Sequence, residues 1–325
     1  MISRKSILAF SCCGAIALGV AACGGSSDDT SSTSGGSSAS GLSGAVRADG
    51  SSTVGPLTQA VAEKFSESNP DVDVTVGQAG TGGGFEKFCV GETDINDASR
   101  EIEPEEAAIC KKHDIPYEGI RVANDALTVV VNPANPNDCL SVDQLAQIWG
   151  PDNPASSWSD VTGADSSFSA SIDRFGPGTT SGTFDFFTGA INGEEGVQTK
   201  EYNNVGENDN QTVTGVEGSE GGIGYFGFSY YEENAQNLKA LEVKNPDTGK
   251  CVAPSAETVQ DGSYAPLGRP LFIYPNTDEV TKDPLKGFVS YYVDNVNSIA
   301  PDVGFITLTD QQLSKSQSTA KSIGG

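Results

Sequence analysis

The sequence predicts an α/β protein of about two domains. Short β-branched runs alternate with segments whose apolar residues recur at helical spacing, the pattern of strands feeding helices and of mostly parallel sheets. The 325 residues suit two domains better than one. Hydrophobic residues at 36% suffice for packed cores, while 39 glycines and many serines imply extensive loops. No repeat of 20 to 50 residues appears.

Taken in order from residue 45, Val54, Leu57, Val61 and Phe65 share one helical face, with Ser51 or Ser52 as N-cap and Asn69-Pro70 as the stop. Val72, Val74 and Val76 alternate as a strand. After the Gly80 to Gly84 turn a helix carries Phe85, Phe88 and Cys89, and a short strand follows near Asp94-Ile95. Pro104-Glu105-Glu106 opens the next helix, its acids matching the positive helix start. Leu127 to Val131 is an apolar strand, and Ser141 caps a helix with Val142, Leu145, Ile148 and Trp149. Ile172 to Phe175 is a strand, Phe184, Phe187 and Ile191 a helix face, and Ile223 to Phe228 another strand. Leu271 to Tyr274 is the last central strand and Leu285 to Val293 the last strong helix.

Forty-four acidic residues against 19 basic ones give a net charge of −25. That excludes a nucleic-acid binder, which needs clustered Lys and Arg. Residues 1 to 22 read as a signal peptide: Arg4 and Lys5, then an apolar stretch too short for a bilayer that needs about 20 residues. Val20-Ala21-Ala22-Cys23-Gly24 resembles a bacterial lipobox, which makes Cys23 the expected lipidation site and ties the mature chain to a membrane. Losing Arg4 and Lys5 takes the charge from −25 to −27. Residues 23 to 44 form the anchored linker. Its Gly, Ser, Thr and Asp cannot bury enough apolar area to offset ordering entropy, and it reaches roughly 25 Å.

Cys12 and Cys13 leave with the signal, so four cysteines remain beside Cys23: Cys89, Cys110, Cys139 and Cys251. An even number in an exported chain implies disulfides, with three pairings open. The absence of any C-x-x-C and a single histidine, His113, argue against a metal site, and no cofactor is expected.

Three Gly/Ser/Thr turns each join a strand to a helix: Asp49 to Pro56, Gly80 to Gly84, and Gly176 to Thr183. Each offers free backbone N–H groups and a hydroxyl at a helix start, a geometry that binds anions. None is a nucleotide loop, since neither a Gly-Lys-Ser/Thr nor a G-x-G-x-x-G is present in the required setting. Ser181 lies outside any G-x-S-x-G, and His113 sits in a polar run, so a serine hydrolase is poorly supported. The pairs Glu105-Glu106, Glu194-Glu195 and Glu232-Glu233 are expected on solvated faces. Five arginines remain in the mature chain, Arg47, Arg100, Arg121, Arg174 and Arg269. Arg100 and Arg174 lie beside the glycine turns, where an Arg fork matches a tetrahedral oxyanion. A surface salt bridge is the alternative use for either.

These motifs, in this order, resemble the PstS-type phosphate-binding proteins of ABC importers. The resemblance runs through Asp-Gly-Ser-Ser-Thr-Val, Gly-Thr-Gly-Gly-Gly-Phe, Asp-Ile-Asn-Asp-Ala-Ser-Arg, Ser-Gly-Thr-Phe-Asp-Phe-Phe-Thr, Gly-Tyr-Phe-Gly-Phe, Val252 to Val259 and Arg269-Pro-Leu-Phe-Ile-Tyr, covering about residues 45 to 310. It implies a non-enzymatic, two-domain Venus-flytrap fold of the type II periplasmic-binding-protein class with two hinge strands, here near Leu127 to Asn132 and Pro266 to Tyr274. One domain then comprises residues 45–128 plus 268–325 and the other residues 129–267, which favours Cys89 with Cys110 and Cys139 with Cys251.

Residue by residue, the resemblance assigns phosphate to Ser52, Thr53 and the amide of Val54, to Thr81 and Gly82, to Ser99 and Arg100, and to Ser181, Gly182 and Thr183. Arg174 is carried over across a different spacing, seven residues before Ser181 instead of four. Where many members have an Asp after Ala-Ser, this chain has Arg100, and Thr180 stands where one branch has Asp. Arg100 is therefore expected to supply charge, with Asp97 or Asp49 accepting the ligand proton that sulfate lacks. The implied partners are inorganic phosphate and the importer's permease, the protein being an extracytoplasmic, membrane-anchored monomer. The competing readings are another oxyanion such as sulfate or molybdate, a surface phosphoester hydrolase, and a purely structural surface protein.

Overall fold

The computed structural model describes residues 41–179, 181–206 and 208–323. The expected signal peptide, Cys23 and most of the linker lie outside the described residues, as does Thr180. The linker ends earlier than its composition predicts. Leu42 packs against the core and Gly44 already opens a strand.

In the first half the elements are β1 (Gly44–Gly50), α1 (Gly55–Ser68), β2 (Val72–Val76), α2 (Thr81–Phe88), β3 (Ile95–Ala98), α3 (Pro104–Lys112), β4 (Ile120–Val131), β5 (Cys139–Ser141) and α4 (Val142–Trp149). There follow β6 (Asp173–Gly176), α5 (Gly182–Asn192), β7 (Asn203–Asn204), α6 (Asp209–Gly218), β8 (Gly222–Gly227), α7 (Phe228–Asn234), β9 (Lys239–Ala240), β10 (Glu242–Lys244) and β11 (Cys251–Val252). The chain closes with α8 (Ala256–Gln260), β12 (Gly268–Pro275), α9 (Asp283–Ile299) and α10 (Asp310–Ser322).

Among the described residues one sheet runs β2-β1-β3-β12-β4-β8-β6-β7, with β9 paired to β4, and a second runs β11-β10-β5. Its flanks are parallel, as expected: β1 pairs with β2 and β3, and β6 with β7 and β8. Its centre is not. β12 is antiparallel to β3 and β4, and β4 to β8. The reason is connectivity, because β12 returns from the far end of the chain to lie between β3 and β4 instead of following a crossover helix.

Two large apolar clusters sit on this sheet. One draws on residues between Val46 and Ala123 and between Leu271 and Ala320, the other on residues between Ala126 and Leu267. The chain passes from the first to the second within β4, between Ala123 and Ala126, and back between Leu267 and Leu271. Both passages are therefore hydrogen-bonded strands, paired with each other from Gly268↔Ala126 onward. β4 spans 12 residues, longer than the run Leu127 to Val131 suggests, because Asn124 and Asp125 interrupt its apolar pattern. Cys89 bonds to Cys110 (Cα–Cα 4.1 Å) and Cys139 to Cys251 (6.0 Å), the pairing that the resemblance implies. Among the described residues no helix is long and apolar enough to cross a membrane.

Candidate functional site

The first glycine turn is shaped from behind. Gly50, at φ +135°, passes so close to β3 that a side chain there would strike the Asp97 backbone, and the next amide, Ser51 N–H, donates to Asp97 O at 2.9 Å. Ser51 Oγ then accepts from Thr53 N (3.2 Å) and Val54 N (3.4 Å). Of the two expected caps it is Ser51 whose hydroxyl takes amides, but those of the turn before α1, which itself starts from Val54 without a side-chain cap. Val54 departs from the expectation, since its side chain is fully buried and its amide goes to Ser51 instead of remaining open to a ligand. Ser52 and Thr53 keep their hydroxyls at the surface of the cleft.

The second turn is held to the first. Gly80 N donates to Gly50 O (2.8 Å), and Asp49 Oδ1 accepts from both Gly50 N (2.8 Å) and Ala79 N (2.9 Å). Thr81 Oγ1 accepts from Ser99 N (3.2 Å) and lies 3.1 Å from Ser99 Oγ, joining the start of α2 to the end of β3. The third turn carries its own cap: Ser181 Oγ accepts from Thr183 N (3.3 Å) at the start of α5.

The first and third turns meet. A methyl placed on Gly182 would lie 3.3 Å from Thr53 Oγ1 and 3.4 Å from Ser52 Oγ, so two helix starts from the two apolar clusters face one another. Between them lies a cavity of about 400 Å³ lined by Ser52, Thr53, Ser181, Gly182, Thr183, Asp125 and Arg269. An adjoining cavity of about 710 Å³ is lined by Thr81, Gly82, Ser99, Arg100, Phe186, Glu195 and, again, Arg269.

Arg269 is the residue that the motif reading passed over. From the start of β12 it donates through Nη2 to Thr53 Oγ1 (2.7 Å) and through Nε to Asp125 Oδ2 (3.1 Å), and its guanidinium carbon lies 3.6 Å from the Phe186 ring centroid. Burial works against its charge, and Asp125, Glu195 and Asp185 work for it. Asp125 was passed over too. The available signal was a polar pair, Asn124-Asp125, and one arginine set in otherwise apolar strand runs.

Three expectations need correction. Arg174 does not line either cavity. It is 4% exposed, and its guanidinium donates to the carbonyls of Ile148 (2.7 Å), Ala155 and Glu201 (3.4 Å), cross-linking loops around α4. Arg100 lines the larger cavity, but its fork is taken by Glu106 through two 2.8 Å bonds, with Glu103 at 3.3 Å. Glu106, expected on a solvated face, also accepts from Glu103 N and so caps α3. Neither Asp49 nor Asp97 faces a cavity. Asp49 is committed to Gly50, Ala79 and Lys87, and Asp97 is sealed beneath the first turn. Asp125 is the carboxylate that lines the smaller cavity beside Arg269.

Residues 29–296 match the model of the PBP superfamily domain. The chain belongs to that family. It is similar to Protein SphX of Synechococcus elongatus, 47% identical over 266 residues that cover 81% of this chain and 77% of the relative. The phosphate-binding protein PstS of Staphylococcus saprophyticus is 38% identical over 284 residues, 87% of this chain and 86% of that one. Among solved structures, a possible phosphate binding protein from Planctomyces limnophilus superposes with TM-score 0.82 at 40% identity, covering 87% of this chain and 99% of its own. An ABC-type phosphate transport receptor from Vibrio cholerae, at TM-score 0.62 and 21% identity over 81% of this chain and all of that one, supports the fold alone. The Staphylococcus and Planctomyces proteins are named for binding phosphate, not for a reaction.

Proposed function

We propose that this protein captures inorganic phosphate in the cleft between residues 45–128 plus 268–325 and residues 129–267, and hands it to an ABC importer. The observation that carries the reading is the meeting of the Ser52-Thr53 and Ser181 to Thr183 helix starts over the guanidinium of Arg269. Helix starts present N–H groups and positive dipole ends, hydroxyls add short donors, and the arginine adds charge, the combination a small oxyanion needs. Thr81 and Ser99 border the adjoining space and can approach the same anion when the cleft narrows. Asp125 takes the role of proton acceptor: a carboxylate beside the ligand accepts the proton of hydrogen phosphate and repels fully ionised sulfate. Members of the family carrying the name phosphate-binding protein agree with this ligand.

No bond is made or broken. An anion that touches both cores favours the closed arrangement by its differential affinity for it, and a membrane permease can read that closure. Hydrogen bonds to a charged ligand contribute about 1.5–3 kcal/mol each, and micromolar binding needs about 8 kcal/mol. The leader, the lipobox at Cys23 and the polar linker support an extracytoplasmic, membrane-anchored protein. Calorimetry with phosphate and sulfate between pH 6 and 9 tests the ligand. Binding of phosphate with sulfate at least tenfold weaker is expected, and equal affinity for both removes the assignment to Asp125.

A further inference from the structure

Behind the first anion-binding turn, β3 presents two consecutive polar side chains with no access to solvent, Asn96 and Asp97. They point to opposite faces of the strand, as successive strand residues must. Asn96 Oδ1 packs against Gly50 and Gly84, where an added Cβ would collide with it, so this side chain sets the spacing of the first two glycine turns. Asp97 faces α1. Its Oδ1 accepts from Thr58 Oγ1 (2.9 Å), and Thr58 Oγ1 is 3.1 Å from the hydroxyl of Tyr292 on α9, which then donates to it. Its backbone carbonyl accepts from Ser51 N. Asp97 Oδ2 is buried without a partner, and among the described residues no cation pairs with this carboxyl.

We infer that Asp97 is a positioning residue for anion capture: as an uncharged acid its side chain holds α1 to β3 through Thr58, directly behind the Ser51 to Val54 turn that its backbone carbonyl anchors, and placing a negative charge there loosens that seat and weakens binding. The inference rests on the phosphate reading above. The charged and titratable groups around Asp97 all disfavour its ionisation or are otherwise engaged: Asp49 on β1 repels it, Lys87 on α2 is paired with Asp49, and Tyr292 on α9 is a neutral phenol fully buried beside it. Burial is the largest influence and pushes the carboxyl up to about 8, against the downward pull of the Thr58 hydrogen bond. The acid form is then the ordinary one near neutrality, and a loss of the proton occurs at mildly alkaline pH.

The test compares phosphate affinity of the wild-type chain and Asp97→Asn by calorimetry from pH 6.5 to 9.5. Asparagine copies the uncharged acid, and both proteins meet the same ligand speciation, so the ratio of their dissociation constants isolates Asp97. The ratio is expected within about threefold of unity at pH 7 and to rise about tenfold or more by pH 9.5, because only the neutral fraction of wild type stays competent. A ratio that stays flat across this range overturns the inference. If Asp97→Asn does not fold, Thr58→Val serves instead: it removes the donor to Asp97, so the alkaline loss of affinity moves to higher pH, and Thr58→Ser restores it. No movement overturns the inference equally. If phosphate fails to bind at any pH, the ligand assignment falls, and unfolding of the unliganded proteins still reads Asp97. The stability advantage of Asp97→Asn over wild type then grows between pH 4 and 8, where the unfolded carboxyl has lost its proton and the folded one keeps it, and levels off above. A difference independent of pH refutes the positioning role.

Discussion

The guanidinium of Arg269 lies 3.6 Å over the ring of Phe186 while its Nη2 donates to Thr53 Oγ1 at 2.7 Å. Phe186 belongs to the core of residues 126–267, and Thr53 to a turn that leads into the helix of the other core. One side chain on a crossing strand thus touches a helix of one core, the turn before a helix of the other, and Asp125. On the proposed function, such a residue is placed to respond to ligand and closure together.

Arg269→Lys should therefore behave unlike a conservative change. An ammonium cannot stack on Phe186 and reach Thr53 and Asp125 at once, because it lacks the planar fork. Phosphate affinity is expected to fall about 10- to 100-fold, the equivalent of one charge-assisted hydrogen bond. Calorimetry measures it, with circular dichroism to confirm that the variant folds. A loss smaller than about threefold would remove Arg269 from the site.

Ser181→Ala and Arg100→Gln separate a ligand contact from a paired charge. Ser181 Oγ caps α5 where it faces Thr53, so its removal should weaken phosphate binding about tenfold. The fork of Arg100 is filled by Glu106, so Arg100→Gln should cost less affinity and instead lower the melting temperature by a few degrees as Glu106 loses its partner. The reverse order in a binding titration would mean that Arg100 leaves Glu106 for the ligand.

Arg174→Met tests the corrected role of a buried cation. The three carbonyls it serves, on Ile148, Ala155 and Glu201, would each lose a donor. Only the Ile148 bond is fully buried, and an unsatisfied buried acceptor costs about 1–3 kcal/mol, so the folded state should lose about 1–3 kcal/mol in urea titration. At a temperature where the variant is still folded, its phosphate affinity should match wild type within about threefold. A selective loss of affinity without loss of stability would return Arg174 to the binding site.

The legible parts of this fold are those with strong local signals. Val72, Val74 and Val76 alternate and form β2, and Leu285, Phe288, Tyr292 and Val296 repeat at helical spacing and form α9. Helix α10 was invisible because it fully buries only Ser316 and Ala320 and, apart from the half-buried Leu313, is largely polar. The three glycine turns were legible as strand-to-helix junctions, since glycine and hydroxyl residues cluster where a strand feeds a helix start. Which charges join them was not. Arg100 is close in sequence to a turn and is diverted by Glu106 six residues on, whereas Arg269 reaches Thr53 across 216 positions. Sequence proximity draws attention to Arg100 and not to Arg269 because β12 returns to the centre of the sheet, a relationship without any local trace.

The Cys139–Cys251 bridge ties β5 to β11 across a sequence separation of 112 residues, whereas Cys89–Cys110 closes only 21. In the chain-entropy account a loop of about 100 residues contributes about 4.7 kcal/mol and one near 20 about 3 kcal/mol. Cys139→Ser with Cys251→Ser should accordingly lower the unfolding free energy more than Cys89→Ser with Cys110→Ser, as read from urea titrations. The opposite order would show that the smaller apolar cluster around Phe85, Phe88 and Tyr274 depends on its buried sulfurs for packing.

Asp49 sets the behaviour in acid. Burial alone would raise its carboxyl, but the hydrogen bond from Lys87 and those from Ala79 and Gly50 outweigh it and hold the group below its ordinary value. A depressed folded value means that the unfolded chain takes up the proton first. The stabilisation is therefore complete above the unfolded value near 4 and is lost as pH falls through the folded one. Because Asp49 Oδ1 joins Gly50 to Ala79, that loss loosens the first two glycine turns together. In unliganded protein, wild type should exceed Asp49→Asn in stability at pH 6, and the gap should shrink steadily below pH 4. Lys87→Met should show a smaller advantage at pH 6 and a shallower acid decline, because it removes the largest opposing contribution to burial. Urea unfolding of the three proteins at pH 6, 4 and 3 makes the comparison, and a gap between wild type and Asp49→Asn that is unchanged from pH 6 to 3 would mean that Asp49 is not the clamp.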